Sequence, residues 1–143
     1  MFIGEYQHAL DDKGRLAIPV KFRQELKTGA VVTRGLDNCL FLYTRRAWQE
    51  LAKRVAKLPL ARSKARAFAR FMLAGAMDVE VDSQGRLLLP DYLRTYAGMK
   101  RQVIVAGLYD RVELWDSAKW AQYKRGTEKS STDIAEALGE LGV

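Results

Sequence analysis

The pattern of apolar and polar positions along this chain changes period repeatedly, and it does so twice in the same order. Residues 5–10 lead as a strand into a turn at 11–14, and residues 16–18 return from it. A short helix over 20–26 follows, with Phe22 and Leu26 four residues apart on one face. Thr28-Gly29 breaks it. Residues 30–33 and 39–43 read as strands around the loop 34–38, where Gly35 and Asn38 are turn residues. Thr44 is placed to cap the next helix, whose stripe of Trp48, Leu51, Ala52 and Val55 makes Trp48 a core anchor rather than a base-stacking platform. Pro59 punctuates, a second helix runs from about 61 to 73, and Gly75 ends it. The plan then recurs: strand 77–81, turn 82–85, strand 86–89, helix 90–97, then strands 103–106 and 111–115 around the loop 107–110. A helix capped by Asp116 or Ser117 runs to about Tyr123 and carries Trp120, the counterpart of Trp48. From Gly126 the tail holds Gly, Ser and Thr clusters with an acidic bias, enough for one weak helix near 132–138 at most, with a frayed end.

The recurrence extends to residue identities. Residues 11–26 read DDKGRLAIPVKFRQEL and residues 82–97 read DSQGRLLLPDYLRTYA. Asp11/Asp82, Gly14/Gly85, Arg15/Arg86, Leu16/Leu87, Pro19/Pro90 and Arg23/Arg94 are identical pairs. After a one-residue insertion, Gly35-Leu36 matches Gly107-Leu108, Leu42 matches Leu114 and Trp48 matches Trp120. Each half is close to the size at which a core of its own is marginal. The halves are therefore expected to share one core as an intramolecular pseudo-dimer.

Composition is that of an ordinary globular protein, with 48% hydrophobic and 29% charged residues, and no apolar run approaches a membrane span. Polar residues at Glu5, Gln7 and His8 interrupt any secretory signal. A single cysteine, Cys39, excludes a disulfide framework; it is expected to pack as a small hydrophobe in a strand, consistent with a reducing cytoplasm. The net charge of +7 and the isoelectric point near 9.7 favour a polyanionic partner. Residues 51–77 carry seven basic residues and no acidic one, with Phe68, Phe71 and Met72 as the apolar side. Three readings of this stretch stay open: a solvated face over a buried Phe stripe, a phosphate-contacting surface, or a contact with a neighbouring subunit.

Nothing supports catalysis. The lone His8 lies on a strand, no Ser/His/Asp or Cys/His set can be assembled, and no glycine-rich phosphate loop or metal-ligand cluster is present. No cofactor, metal or small-molecule substrate is expected. The chemistry lies in the repeated turn. Asp can accept from the turn amides and Gly supplies a positive φ, so Asp11–Gly14 and Asp82–Gly85 read as β-hairpin turns. Arg15 and Arg86 follow directly and are expected near the loop tip with the guanidinium free to reach outward. Pro19 and Pro90 end the strand and can open a helix at its first turn. The alternative for this motif is a purely structural turn whose Arg pairs with its own Asp. Arg can read guanine bidentately in the major groove, and Arg and Lys also neutralise phosphates.

The Asp-x-x-Gly-Arg-Leu-x-(Ile/Leu)-Pro signature, present twice, together with the opening Met1–Tyr6 and the segment Phe71–Met77, resembles the MraZ family of bacterial transcriptional regulators, built from two SpoVT-AbrB modules. The resemblance covers nearly the whole chain. It implies an α+β fold of two tandem swapped-hairpin (AbrB-like) β modules forming an intramolecular pseudo-dimeric barrel with flanking helices. The modules would be 5–52 and 76–123, with a basic helical connector 53–75 and a tail 124–143. It implies promoter DNA as partner, with short direct repeats upstream of the protein's own cell-division and cell-wall gene cluster, repression as its action, a ring-shaped homo-oligomer, and a place at the cytoplasmic nucleoid. DNA contact by Asp11 and Arg15, and by Asp82 and Arg86, is carried over from the family's motif; Lys13 adds a charge of its own on the first tip, where the second turn has Gln84, so Arg15 leads. The rival readings are an oligomeric assembly protein with a protein partner and incidental basic charge, and an RNA-binding module. The latter is weakened because the aromatics fall on core stripes.

Overall fold

The computed structural model describes residues 1–142. The first copy is β1 (Phe2–Ala9), β2 (Arg15–Ala17), α1 (Val20–Leu26), β3 (Ala30–Arg34), β4 (Leu40–Thr44) and α2 (Arg45–Ala56). The connector is α3 (Ser63–Ala69) followed by a wider π turn (Arg70–Ala74). The second copy is β5 (Met77–Val79), β6 (Arg86–Leu88), α4 (Asp91–Tyr96), β7 (Gln102–Tyr109), β8 (Val112–Asp116) and α5 (Ser117–Lys129), with α6 (Ser131–Ala137) and a short 3-10 turn (Gly139–Leu141) after it.

This is a mixed α+β fold, but the strands do not close into the expected barrel. They form an open antiparallel sheet of six in the order β1-β7-β8-β4-β3-β5, and a separate ribbon of β2 and β6. Because β2 and β6 are only three residues long and pair with each other, they leave the sheet, and β1 and β5 become its edges.

The strands flanking each turn mostly find partners in the opposite copy. β1 pairs along its length with β7, from Phe2 opposite Tyr109 to Ala9 opposite Gln102. β5 pairs with β3, Ala30 lying opposite Val79. A single bridge, Leu10 to Leu16, is what the first turn keeps of a local hairpin. The exchange lets both halves bury their apolar faces against one another. Phe22, Leu26, Val32, Leu42 and Leu16 of the first copy share one cluster with Leu87, Leu93, Val103, Val105 and Leu114 of the second.

Loop boundaries moved where pairing overrode composition. Gly107, Leu108 and Tyr109, expected in a loop, belong to β7 because β1 pairs with them. Gly107 is needed there: a Cβ would come within 2.5 Å of the Ile3 backbone nitrogen. Pro19 and Pro90 stand just before their helices, with extended backbone, so Val20 and Asp91 are the first helical residues. Thr44 caps α2 as expected, accepting from the Ala47 amide at 3.1 Å. Asp116, not Ser117, caps α5, which runs six residues beyond the expected end at Tyr123. α6 falls where one weak helix was expected; Val143 of that tail lies outside the described residues.

A second apolar cluster of Phe41, Tyr43, Val55, Met72, Ile104 and Trp115 decides part of the connector's role. Trp48 and Trp120 pack against it. Phe71 and Met72 cover the chain's own sheet: Thr33 donates its hydroxyl to the Met72 carbonyl at 2.7 Å, and Arg34 donates to the Phe71 carbonyl while its guanidinium lies 4.8 Å from the Phe71 ring centre. These side-chain donors take carbonyls in the stretch where the helix widens into its π turn, a recognised cause of such distortion. Of the apolar stripe, only Phe68 remains notably exposed.

Candidate nucleic-acid interface

Each turn is built around its aspartate. Asp11 Oδ1 accepts from the backbone amides of Lys13 and Arg15, both at 2.9 Å, and Asp82 Oδ1 accepts identically from Gln84 and Arg86. The Gly14 amide donates to the Asp11 carbonyl at 3.0 Å, and Gly85 to Asp82 at 2.9 Å. Gly14 and Gly85 take φ of 81° and 77°, the left-handed region that L side chains resist. The second carboxylate oxygen of each aspartate accepts from its arginine: Arg15 Nε to Asp11 Oδ2 at 2.6 Å, and Arg86 Nε to Asp82 Oδ2 at 3.1 Å.

This corrects the expectation of a guanidinium free at the loop tip. Arg15 and Arg86 are 32% and 25% exposed at the side chain, each anchored through Nε. The structural alternative, an arginine paired with its own aspartate, is therefore what the turn contains. It does not exhaust the side chain, because the terminal nitrogens lie beyond that bond.

The ribbon sets where those nitrogens go. Leu16 lies opposite Leu87, both fully buried, so they point inward. Arg15 lies opposite Leu88 and Ala17 opposite Arg86, and alternation puts these four on the outward face. The pseudo-twofold axis passes between Leu16 and Leu87, and the two arginines sit diagonally across it. The turns also touch: Arg86 Nη1 is 3.7 Å from Asp11 Oδ2. Lys13 is exposed at the first tip, with exposed Gln84 in its place at the second.

The aspartates are held ionised. The Arg15 amide, then the Arg15 side chain and the Lys13 amide, bring the Asp11 carboxyl down to about 2, and the Arg86 amide likewise lowers Asp82. A depressed carboxyl contributes stability above its unfolded value of about 3.9 and loses it as pH falls through the folded value. Asp11→Asn is therefore expected to melt below wild type at pH 7, with the gap narrowing as pH falls from about 4 towards 2. Thermal melts across that range check this; a gap independent of pH would show that the charge of Asp11 is irrelevant to the turn.

The remaining candidates take structural places. His8 is half-buried on β1, where burial and the nearby Arg23 charge depress its imidazole. Cys39 is buried just before β4 rather than in a strand, its thiol donating to the Leu36 carbonyl, and burial pushes its pKa up. Among the described residues no group of three or more His, Cys, Asp or Glu could hold a metal ion, and no helix is long and apolar enough to cross a membrane. Sequence reasoning gave no role to Arg23 and Arg94. Their identity across the copies was the available signal, and both lie against the turns.

The fold and site define an α+β protein whose duplicated Asp-x-x-Gly-Arg turns meet in one ribbon. The family model described as "MraZ protein, putative antitoxin-like" matches residues 1–71 and again 72–140. The chain is 48% identical to a protein of Syntrophomonas wolfei, 46% to one of Moorella thermoacetica and 48% to one of Acetivibrio thermocellus, each named "Transcriptional regulator MraZ" and each matched over the full length of both chains. The chain belongs to the MraZ family.

Proposed function

We propose that this chain is a sequence-specific regulator of transcription that reads double-stranded DNA through the β2–β6 ribbon. The observation that carries the reading is the placement of Arg15 and Arg86 on the outward face of a two-stranded antiparallel ribbon, a shape the major groove admits. Each aspartate holds Nε of its arginine, which fixes the fork before DNA arrives and leaves the terminal nitrogens beyond that bond for a base edge, although Nη1 of Arg86 is shared with Asp11 at 3.7 Å. Lys13 adds a phosphate contact on the first turn. The excess of basic residues supplies the salt-dependent, sequence-independent part of the affinity.

The crossed strand pairings support reading the chain as two swapped modules, 5–52 and 76–123, joined by the connector 53–75 and followed by the tail 124–143. The relatives' names support regulation of transcription. Repression at the promoter of a cell-division and cell-wall cluster, binding to direct repeats, a homo-oligomeric ring and a nucleoid location extend this reading from the family resemblance. A ring is physically apt, since one ribbon reads few base pairs and linked copies multiply affinity.

The test is fluorescence anisotropy with a duplex from upstream of the protein's own gene against a shuffled duplex, at several salt concentrations. A preference of about 10³-fold or more for the native duplex is expected. Equal, steeply salt-dependent binding to both would reject specific recognition. The assembly reading is favoured by one feature, a groove of about 580 Å³ lined by Trp115, Trp120, Tyr123, Glu5 and Glu113. It predicts the equal-binding outcome. Single-stranded RNA recognition finds no support on the ribbon, whose outward face of Arg15, Ala17, Arg86 and Leu88 carries no aromatic ring for a base to stack on.

A further inference from the structure

Arg23 and Arg94 are identical in the two copies, yet neither belongs to the Asp-x-x-Gly-Arg turn. Each lies in the fourth position of the helix that follows its own ribbon strand. Arg94 Nε donates to the Leu89 carbonyl at 3.0 Å, and the Leu89 amide donates to the Gly14 carbonyl at 2.9 Å. Arg23 Nε donates to the Ile18 carbonyl at 2.8 Å, and the Ile18 amide donates to the Gly85 carbonyl at 2.9 Å. Both chains of bonds end in the turn of the opposite copy.

Packing follows the same crossed path. A Cβ built on Gly14 would lie 2.8 Å from Arg94 Cζ, and one built on Gly85 would collide with the guanidinium of Arg23. Each guanidinium thus fills the space where a side chain of the opposite turn would start. That explains why Gly14 and Gly85 are buried although Lys13 and Gln84 beside them are exposed. The glycines are needed for close approach as well as for positive φ.

We infer that Arg23 and Arg94 are crossed positioning residues, each reaching from the helix of one copy to set the recognition turn of the other, Arg94 that of Arg15 and Arg23 that of Arg86. The helices are anchored in the shared core by Phe22 and Leu26 and by Leu93 and Ala97. The clamps therefore tie the spacing of Arg15 and Arg86 to the core and not to the exposed turns. They are not equivalent in charge. Arg94 Nη2 lies 3.6 Å from Asp91, whereas Arg23, in a copy with Val20 at that position, has no ion pair among the described residues.

The consequence for binding rests on the DNA-reading ribbon proposed above; the clamp itself does not. The test uses the full chain with Arg94→Lys and Arg23→Lys, which keep the charge and lose the planar fork. Hydrogen exchange of the free protein comes first. Arg94→Lys is expected to speed exchange at 11–15 about tenfold and leave 82–86 as in wild type, and Arg23→Lys to do the reverse. Faster exchange in the variant's own turn, in both turns alike or in neither overturns the crossed assignment. Anisotropy follows: both variants are expected to lose about tenfold in affinity for the native duplex with an unchanged salt slope. An arginine acting only as a phosphate contact would instead be rescued by lysine, while Arg→Gln would lower the slope by about 1. If wild type shows no preference for the native duplex, the DNA reading fails, and the exchange pattern still decides the clamp.

Discussion

Arg15→Ala is expected to lower affinity for the native duplex by about 10- to 100-fold per chain, corresponding to one bidentate base contact of about 1–3 kcal/mol, while the thermal transition stays close to wild type. The turn survives the truncation because its frame is backbone. Asp11 keeps the amides of Lys13 and Arg15, and Gly14 keeps its bond to the Asp11 carbonyl. Arg86 remains 3.7 Å away as a second cation for the carboxylate. Arg15→Lys separates the two jobs an arginine can do: it restores a phosphate contact and the salt dependence that goes with it, but not the fork that distinguishes guanine. Anisotropy on native and shuffled duplexes, beside thermal melts, reads all of this. Full affinity in Arg15→Ala would remove Arg15 from recognition, and loss of the transition would make it a folding residue. Arg86→Ala releases both Asp11 and Asp82 from a cation, so its stability effect is expected to exceed that of Arg15→Ala.

The order of elements was legible because periodicity reports which face of a segment is buried. Phe22 and Leu26 on one side of a short helix, Thr44 before a helix and the doubled Asp-x-x-Gly-Arg all lie within a few residues of the groups that explain them. Partner choice was less legible. Nothing in the alternation of residues 2–9 says whether β1 pairs with the strand after its own turn or with β7 about a hundred residues away, because either partner buries the same face. The open sheet follows from that choice, as does the strand conformation of Gly107, whose glycine reads as a turn until a second backbone is laid against it. At the site, the identities of Asp11 and Arg15 were visible but the bond between Nε and Oδ2 was one of two open readings. Arg23 and Arg94 were visible only as repeated letters, since the packing of their guanidiniums against Gly85 and Gly14 crosses between copies.

The other large effect is expected from Phe22→Ala, at about 3–5 kcal/mol of stability, the range for truncating a buried phenylalanine. Phe22 is almost fully buried and meets Phe2 and Tyr6 edge-on, with ring centres 5.2 and 5.5 Å away. Both partners come from β1, which hydrogen-bonds to β7 of the second copy. The cavity therefore opens at a junction of the two halves, and its effect should not stay in the first. A chain of this length is expected to lose about 10 °C in Tm for such a change. The informative feature is the shape of the melt. Were 5–52 and 76–123 independent units, Phe22→Ala would lower one transition and leave another in place. With one cluster drawn from both copies, a single cooperative transition should move as a whole, and Leu93→Ala, at the equivalent position of the second copy, should move that same transition. Calorimetry on both variants distinguishes these outcomes. A single moving transition also bears on recognition, because the ribbon has one strand from each copy and Arg15 and Arg86 can hold a fixed spacing only while both halves stay folded together.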